Sequence, residues 1–372
     1  MSHKTVGVMP GSDRAYDIII GVDVLADAGR IIAHTLRAQK YCVVTDSHVA
    51  ALPHILKLTK SMETAGCSLT APIVLPPGEA TKDFYHLQYI IDQALERGLD
   101  RHAALIAFGG GVVGDITGFA ASVLMRGVPF VQVPTTLLAQ VDSAVGGKTA
   151  INTARGKNLV GSFYQPRSVL IDTQVLQTLP PREMRAGYAE VVKYALINRP
   201  SFFEWLDENV AALLAGDAVA QAEAIAISCT AKAEIVADDE REQKDIRALL
   251  NLGHTFAHAL EKLGGFDGRL LHGEAVSIGL YWAAAFSAQQ GLCPPGDVAR
   301  IKAHLTAVGM MTSPPFTAAA GDILSAMQND KKSVGGKMTL ILMKGIGRAF
   351  VQPDVEGAAV LSFLKSMTEC NT

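Results

Sequence analysis

Three histidines lie close together in the second half of the chain, at His254, His258 and His272. His254 and His258 are four residues apart, so they share one face of a helix. Glu190, in the run YAEVVKY, offers a carboxylate. Two histidines and a carboxylate commonly hold a divalent metal ion and leave positions open for substrate oxygens. The HxxxH pair lacks the adjacent glutamate of the zinc proteases, so a hydrolytic site is not indicated. The spacing does not decide which two histidines bind, and an ordinary polar role is the alternative for each.

Positively charged side chains recur around these candidate ligands and around a glycine-rich stretch earlier in the chain. The five cations are Lys148, Lys157, Lys193, Lys232 and Arg247. Lys193 is three residues beyond Glu190 and therefore points the same way from a helix. The chain has a net charge of −3, so local clusters of cations must hold any anionic ligand. The pattern indicates a site for a polyanionic metabolite, with solvated surface charges as the alternative.

A glycine cluster follows a predicted strand at Ala103–Phe108. Gly109, Gly111 and Gly114 satisfy the G-x-G-x-x-G pattern between a strand and a helix, which is typical of dinucleotide binding. Glycines let the backbone approach a pyrophosphate, and a helix N-terminus offers N–H groups to it. The acidic residue expected about twenty positions later is missing, and the candidate, Asp46, lies upstream. A carboxylate that binds the ribose would favour NAD over NADP. A tight structural turn is the alternative for the glycines.

Other polar residues near predicted strand ends have two interpretations each. Asp46 follows the strand Lys40–Thr45 and could bind a ribose, but an N-cap for a helix at Ser47–Leu56 is the favoured interpretation. Glu79 and Lys82 begin a predicted helix at about 81–97 and are most simply first-turn charges. Thr135 and Thr136 either donate to phosphate or ribose oxygens or cap the next helix.

The elements that must position these residues divide the chain in two. Residues 1–179 alternate strands and helices, which predicts a parallel α/β domain. Residues 180–372 read as amphipathic helices, apart from Met338–Lys344, which predicts a strand or a hairpin arm. The remaining predicted elements are strands at Tyr16–Ile20, Ala71–Leu75, Val128–Val133 and Ser168–Asp172, a helix at Val24–Arg37 and a short helical turn at Gln174–Leu179.

Composition excludes several classes of protein. With 372 residues, 49% hydrophobic and 19% charged, the chain is long enough for two globular domains. The net charge predicts no nucleic-acid or membrane partner. The five cysteines are scattered and form no CxxC pair, so a disulfide framework is not expected and a cytoplasmic location fits. The N-terminus has no signal-peptide pattern.

The residues alone therefore predict an NAD- and metal-dependent reaction on a small, hydroxylated, phosphorylated acid. The metal would lower the pKa of a substrate hydroxyl and polarise the resulting ketone.

Six runs of the sequence resemble, in order, the motifs of the 3-dehydroquinate synthase family, within the sugar-phosphate cyclase superfamily. They are GGGVVGDITGFAAS, MRGVPFVQVPTTLLAQVDSAVGGKTAIN, GKNLVGSFYQP, AGYAEVVKYALI, LLNLGHTFAHALE and LHGEAV. The resemblance implies an N-terminal Rossmann-like α/β domain, an all-α C-terminal domain and an active site in the cleft between them. It also implies a homodimer, bound NAD and one divalent metal ion, zinc or cobalt.

The resemblance also assigns roles to individual residues. The implied metal ligands are Glu190, His254 and His272. The implied NAD contacts are Asp46, Glu79, Lys82, Gly111, Val112, Val113, Gly114, Asp115, Thr135 and Thr136, with Lys148 and Lys157 nearby. The implied substrate contacts are Asp142, Lys148, Asn158, Lys193, Lys232, Arg247, Asn251, His258 and one lysine of the DKK run, Lys331 or Lys332. Arg126, in MRGV, is implied to reach the neighbouring active site of a dimer.

The implied reaction is the second step of the shikimate pathway, which leads to aromatic amino acids. It converts 3-deoxy-D-arabino-heptulosonate 7-phosphate to 3-dehydroquinate and phosphate. NAD oxidises the C5 hydroxyl, phosphate is eliminated, NADH returns the hydride, and the ring opens and closes by an intramolecular aldol reaction. Three alternatives are a sugar-phosphate cyclase that makes an inosose or a valiolone, an iron-type NAD-dependent polyol dehydrogenase, and a binding protein on an enzyme scaffold.

Overall fold

The computed structural model describes residues 3–10, 15–242, 244–265, 268–330 and 337–369. The strands are β1 (Lys4–Val8), β2 (Tyr16–Gly21), β3 (Lys40–Asp46), β4 (Ile73–Leu75), β5 (Ala103–Gly109), β6 (Phe130–Pro134), β7 (Lys148–Thr153), β8 (Gly156–Phe163), β9 (Ser168–Asp172), β10 (Lys337–Met343) and β11 (Ala349–Glu356). The α-helices are α1 (Val24–Leu36), α2 (Ser47–Ala50), α3 (Pro53–Thr64), α4 (Phe84–Glu96), α5 (Gly111–Val123), α6 (Pro181–Asn198), α7 (Pro200–Leu214), α8 (Ala218–Asp238), α9 (His254–Leu263), α10 (His272–Gln289), α11 (Pro295–Ala307), α12 (Ala320–Asp330) and α13 (Gly357–Glu369).

The chain forms two compact units. The first contains Met1–Pro180 and Gly216–Arg241, and the second contains Pro181–Ala215 and Glu242–Thr372. The division at residue 180 lies where the sequence predicts it. However, α8 belongs by its contacts to the first unit, where it packs against β1 and β2, although we predicted it in the helical half. Its periodicity predicts a helix, but periodicity does not identify the surface on which an alanine-rich helix packs.

The first unit is built on a seven-stranded sheet in the order β1-β2-β9-β6-β5-β3-β4. β1 pairs antiparallel with β2, and the other neighbouring strands are parallel. The strand β5, AALIAFG, is buried at every position. Such continuous apolar strands are typical of a parallel sheet that helices cover on both faces.

Neighbouring residues of β3 show how the two faces are filled. Val43 packs with Leu25 of α1 and Leu58 of α3, whereas Val44 packs with Ile90 of α4 on the other face. All five residues are at most 1% exposed. Each such side chain contributes about 1.5–3 kcal/mol through burial. The sheet is thereby held rigid between two apolar layers, with its strand ends available to carry polar residues.

The strand order explains why the acidic residue lies upstream of the glycines. β4 lies beyond β3, and β6 lies on the opposite side of β5, so the chain reverses its direction across the sheet between β3 and β5. Val44 pairs with Ala107, which brings the ends of these strands, Asp46 and Gly109, to the same level. A ligand of an open α/β sheet binds at the carboxyl ends of strands at this switch point.

Several predicted elements of the first unit are confirmed, and others differ. The strands at residues 16, 40, 103 and 168 begin where the sequence predicts them. The single helix predicted at Ser47–Leu56 is wrong: α2 ends at Ala50 and α3 begins at Pro53. Proline suits the first position of a new helix because its φ is preset and its missing N–H has no intrahelical partner there. The strand β1 and the β7–β8 hairpin were not predicted, since the hairpin is rich in polar residues and glycine.

The second unit is helical, with β10 and β11 paired as an antiparallel hairpin. The predicted strand at Met338–Lys344 is therefore confirmed as a hairpin arm, and the predicted all-α domain gains one β-element. A buried polar group joins three helices: His304 of α11 lies 2.8 Å from Tyr188 of α6 through Nε2 and 2.6 Å from Asp207 of α7 through Nδ1. Burial lowers the pKa of His304, and Asp207 opposes that shift.

Within the described part of the chain, no helix combines the length and the apolar character needed to cross a membrane.

Candidate active site

Three of the predicted ligands meet in the second unit. Glu190 lies in α6, while His254 and His272 are the first residues of α9 and α10. Glu190 Oε1 is 3.5 Å from Nε2 of both histidines. One ligand atom from each residue lies within 4.8 Å of the others. The His258 ring lies beside them, 5.5 Å from the ring of His254, but outside this set of ligand atoms. Of the three histidines, His254 and His272 are therefore the two that lie with Glu190 in a geometry that could hold a metal ion.

Contacts on the far side of each imidazole orient it toward Glu190. His254 Nδ1 is 3.1 Å from the carbonyl oxygen of Leu252, and His272 Nδ1 is 3.2 Å from Glu261 Oε2. A proton on each Nδ1 directs the Nε2 lone pair toward the cluster, which is the usual arrangement around a bound metal. We did not predict Glu261. Its position seven residues after His254 and three after His258, on the same face of α9, was the available signal.

The electrostatics of the cluster match a cation. Burial lowers the pKa of His254 to about 3, and nearby Lys193 adds to the effect, so its imidazole is neutral as a metal ligand must be. Burial alone would also lower the pKa of His272, but hydrogen bonds to Glu190 and Glu261 outweigh it and raise the value to about 10. Positive charge is therefore favoured between these two carboxylates. The donor set of two imidazoles and one carboxylate fits a single divalent ion.

A close contact between two helices brings the ligands together. A Cβ atom on Gly273 would lie 1.8 Å from the carbonyl oxygen of Ala186 in α6. Only glycine permits α10 to approach α6 this closely. Gly273 follows His272 directly, and Ala186 is four residues before Glu190. The glycine of the HGEA run therefore sets the separation of two candidate ligands.

The second unit also buries two of the predicted cations. Lys193 Nζ is 2.5 Å from Glu190 Oε2, and Lys193 is 1% exposed. Arg247 is also 1% exposed and begins the 3₁₀ turn Arg247–Asn251. Asn251 and His258 are half-buried. Buried cations are costly to keep unless they are paired, and the carboxylate of Glu190 is such a partner for Lys193. The interpretation of Arg247 as a solvated surface residue is wrong.

In the first unit, the glycine cluster lies where the sequence predicts it, between β5 and α5. Gly110 is the N-cap of α5, and no side chain among the described residues caps this helix. Its first N–H groups lack intrahelical partners and suit a phosphate. A Cβ atom on Gly114 would lie 2.7 Å from Gln132 Oε1 of β6. The motif glycine at 114 thus serves close packing of the helix on the sheet.

Lys82 is not a first-turn surface charge, as the simpler interpretation held. It is 5% exposed, and α4 begins only at Phe84. Lys82 Nζ lies 2.5 Å from both Asp115 Oδ2 and Asn158 Oδ1. Burial raises the pKa of Asp115, and Lys82 opposes that rise. Two predicted NAD contacts and one predicted substrate contact therefore form a single network.

Asp142 and Lys232 form a second network in this unit. Asp142 lies in a turn of π-helix, Ala139–Ser143, and such turns are frequent at functional sites. Lys232 of α8 donates to Asp142 Oδ1 at 2.5 Å and to its carbonyl oxygen at 2.7 Å. Lys148, at the start of β7, is exposed, and Lys157 in β8 is half-buried. Packing of α8 on the first unit explains how Lys232 reaches a residue 90 positions earlier.

Capping is confirmed for two residues with alternative interpretations. Asp46 Oδ1 accepts from the N–H groups of His48 and Val49, both at 2.9 Å. Thr136 Oγ1 accepts from the N–H of Ala139 at 3.2 Å. These contacts use one side-chain oxygen of each residue, and contacts with NAD stay a prediction for both. Thr135 is buried at the end of β6. The predicted substrate lysine, Lys331 or Lys332, lies outside the described residues.

Arg126 lies in an unusual backbone segment. Both Met125 and Arg126 have positive φ, at 50° and 67°. Met125 is 44% exposed, and the preceding Val123 is 45% exposed. Left-handed conformations of bulky residues are uncommon and occur where the surroundings require them. The segment therefore presents Arg126 from a locally constrained turn with exposed apolar neighbours.

Two family models cover most of the chain. The model described as 3-dehydroquinate synthase N-terminal matches residues 72–186, and the model described as 3-dehydroquinate synthase C-terminal matches residues 187–333. The chain is 52% identical over 359 residues to 3-dehydroquinate synthase of Rhodospirillum rubrum, covering 95% of this chain and 92% of the relative. The chain belongs to the 3-dehydroquinate synthase family. This membership agrees with the resemblance that the sequence motifs indicate.

Solved structures of related cyclases share the fold of this 3-dehydroquinate synthase family member. A 2-deoxy-scyllo-inosose synthase complexed with carbaglucose-6-phosphate, NAD+ and Co2+ is 26% identical, with a TM-score of 0.85 and coverage of 98% of this chain and 100% of that one. The 2-epi-5-epi-valiolone synthase of Streptomyces hygroscopicus, with NAD+ and Zn2+ bound, is also 26% identical. Its TM-score is 0.87, with coverage of 97% and 98%. Their similarity over nearly the full chain confirms the predicted fold class, an α/β N-terminal domain followed by a helical C-terminal domain.

Proposed function

We propose that this chain catalyses the reaction of its family, the conversion of 3-deoxy-D-arabino-heptulosonate 7-phosphate to 3-dehydroquinate and phosphate. The enzyme is a lyase that uses NAD and one divalent metal ion, zinc or cobalt. The observation that carries the proposal is the Glu190–His254–His272 cluster, in which both histidines turn Nε2 toward one buried carboxylate. It occurs in a chain 52% identical to a named 3-dehydroquinate synthase over nearly its full length.

The two ligand-binding roles fall to different sets of residues. Glu190, His254 and His272 hold the metal ion. The residues that hold NAD are Asp46, Glu79, Lys82, Gly111, Val112, Val113, Gly114, Asp115, Thr135 and Thr136, with Lys148 and Lys157 beside them. The bound NAD+ and Co2+ or Zn2+ in the two similar solved structures support both assignments. The open N-terminus of α5 and the buried Lys82–Asp115 pair support the assignment of NAD to the first unit.

When bound, the metal ion supplies a Lewis acid for the substrate hydroxyl and NAD supplies a reversible hydride acceptor. The side chains of this chain bind and orient the substrate throughout the reaction. The cations Lys193, Lys232 and Arg247 neutralise its phosphate and carboxylate, and Lys148 and one lysine of the DKK run add to that charge. Asp142, Asn158, Asn251 and His258 orient the hydroxyls. Many fixed cations suit a reaction in which one substrate passes through several steps at one site.

The active enzyme is a cytoplasmic homodimer in which Arg126 serves the neighbouring active site. The exposed apolar residues Val123 and Met125 beside Arg126 support an interface at this turn. The constrained backbone at residues 125 and 126 would present the guanidinium in a defined direction. The four described cysteines are free thiols, which fits a reducing compartment.

The main alternative to the proposed function is the inosose synthase reaction, because the solved relatives at 26% identity include an inosose synthase with a carbaglucose phosphate bound. The test is phosphate release from the heptulosonate 7-phosphate and from glucose 6-phosphate, with NAD far below the substrate concentration. We expect release from the heptulosonate only. Release from glucose 6-phosphate alone would favour the inosose reaction, and accumulation of NADH with no phosphate would favour a polyol dehydrogenase.

A further inference from the structure

Asn152 connects residues from two separate segments that the proposed function assigns to cofactor and substrate. It lies in β7, in the run TAIN, and it belongs to none of the residue sets proposed to hold the metal ion, NAD or the substrate. Its Nδ2 donates to Glu79 Oε1 at 2.7 Å. Its Oδ1 accepts from the N–H of Asn158 at 3.0 Å. Its own N–H donates to the carbonyl oxygen of Lys82 at 2.6 Å.

These bonds close a ring with the buried lysine. Lys82 Nζ donates to the side-chain oxygen of Asn158, whose backbone N–H is held by Asn152, and Asn152 in turn holds the backbone of Lys82. The ring joins the β7–β8 hairpin to the 3₁₀ turn Glu79–Thr81 that follows β4. Displacement of any one member would therefore move the others.

The partners specify an amide at position 152. The Glu79 carboxylate requires a donor, and the Asn158 N–H requires an acceptor, so one side chain must offer both. Asn158 also has φ of 56°, in the left-handed region that is uncommon for residues other than glycine. A bond to its N–H from a neighbouring strand holds that conformation and the direction of the Asn158 side chain.

We propose that Asn152 is a positioning residue of this enzyme, which sets Glu79, Lys82 and Asn158 in place for NAD and substrate. The proposal rests on the proposed function for the roles of those three residues. Asn152 acts through them, because its amide Nδ2 and Oδ1 are bonded to Glu79 and Asn158. Its removal should therefore weaken NAD binding and slow turnover while the fold persists.

The experiment compares Asn152→Ala and Asn152→Leu with a control in the same hairpin, Thr153→Ala. The leucine variant keeps a side chain branched at Cγ and removes both side-chain hydrogen bonds, and either variant keeps the backbone bond to Lys82. Among the described residues, the Thr153 hydroxyl accepts from the N–H of Arg155 and donates to the carbonyl oxygen of Gly156, both within the hairpin turn. NAD affinity is measured by calorimetric titration, phosphate release gives kcat and KM, and thermal melting reports stability.

We expect both Asn152 variants to bind NAD about tenfold more weakly, and kcat/KM to fall by about 10- to 100-fold, since small displacements of positioning groups have effects of this size. Thr153→Ala should stay within about threefold of the wild type. The effects of Asn152→Ala and Asn158→Ala should be non-additive, because both remove the same network.

The proposal is overturned if the Asn152 variants melt at lower temperature but bind NAD and release phosphate as the wild type does. Additive effects in the Asn152–Asn158 pair would also overturn it. If Asn152→Ala does not fold, the leucine variant decides. If the wild type and Thr153→Ala release no phosphate, the proposed function fails, and the NAD titration then decides the role of Asn152 by itself.

Discussion

Glu261 should determine how tightly the candidate metal site holds its ion. Its carboxylate is 3.2 Å from His272 Nδ1, and the residue is 5% exposed, so the described surroundings offer little water to replace it. Glu261→Gln keeps an acceptor for the Nδ1 proton and removes the negative charge. Glu261→Leu removes both. The two substitutions therefore separate the orientation of the imidazole from the electrostatic support of the ion.

The expected loss of metal affinity can be estimated from the role of residues that hydrogen-bond to a metal-binding histidine. Loss of the group that orients a metal-binding histidine typically weakens metal affinity by about 10- to 100-fold. That range corresponds to about 1.4–2.7 kcal/mol. We expect Glu261→Gln near the lower end, since His272 keeps its tautomer, and Glu261→Leu near the upper end.

The assay is competition for Zn2+ or Co2+ between the protein and a chromophoric chelator, which reports affinity without relying on turnover. Glu208→Gln, at an exposed position of α7, is the control and should bind metal as the wild type does. Thermal melting of each variant in the absence of metal checks the fold. Equal affinities for the wild type, the glutamine variant and the leucine variant would refute the role assigned to Glu261.

Three further substitutions test the proposed roles of Lys232, His304 and Gly273. Lys232→Met should lower kcat/KM for phosphate release by about 100-fold or more and leave metal affinity unchanged, because it removes a cation held at Asp142 and not at the metal cluster. The pKa of His304 is lowered in the fold, so the unfolded state binds more protons below about pH 6.5 and stability is lost as the pH falls through that value. His304→Gln should make this loss between about pH 7 and 5 shallower in denaturant titrations. Gly273→Ala should reduce the free energy of unfolding by about 1–3 kcal/mol and weaken metal binding, because its Cβ atom would meet the Ala186 carbonyl.

Each of these changes has a matched control. Lys365→Met alters an exposed lysine of α13 and should keep full activity. His48→Gln alters an exposed histidine of α2 and should keep the wild-type pH dependence of stability. Gly296→Ala adds a Cβ atom in α11 with nothing within 4 Å and should not destabilise the protein. Normal kcat/KM in Lys232→Met would contradict the first prediction. An unchanged pH dependence of the free energy of unfolding in His304→Gln would contradict the second. A Gly273→Ala variant as stable as Gly296→Ala would contradict the third.

The central sheet could be predicted because its signal is local. Continuous apolar runs such as AALIAFG mark buried parallel strands, and the glycine turn follows one of them directly. The order of the strands in the sheet could not be predicted from the sequence. The reason that Asp46 precedes the glycines could not be predicted either, because it depends on that order. That order depends on which strands pair across the fold, and no local pattern in β3 or β5 records it.

The candidate site shows the same limit at the level of single residues. The spacing of His254 and His258 places them on one face of α9, yet the histidine that meets His254 and Glu190 in the candidate metal cluster is His272, brought near by the close contact at Gly273. Lys82 looks like a first-turn charge until its burial against Asp115 is seen. In the sequence Glu261 is marked only by its spacing from His254 and His258, and Asn152 has no chemical signature. Their importance lies in which atoms they hold, and only three-dimensional contacts reveal that.

The most direct test of the central claim is the number of product molecules formed for each NAD. The purified protein, loaded with zinc or cobalt and an equimolar amount of NAD, is given excess 3-deoxy-D-arabino-heptulosonate 7-phosphate, and phosphate, 3-dehydroquinate and NADH are followed together. We predict many equivalents of phosphate and 3-dehydroquinate per NAD, in equal amounts, with no net accumulation of NADH. Turnover that stops after one equivalent with NADH formed, or the absence of phosphate in the metal-loaded protein, would contradict it.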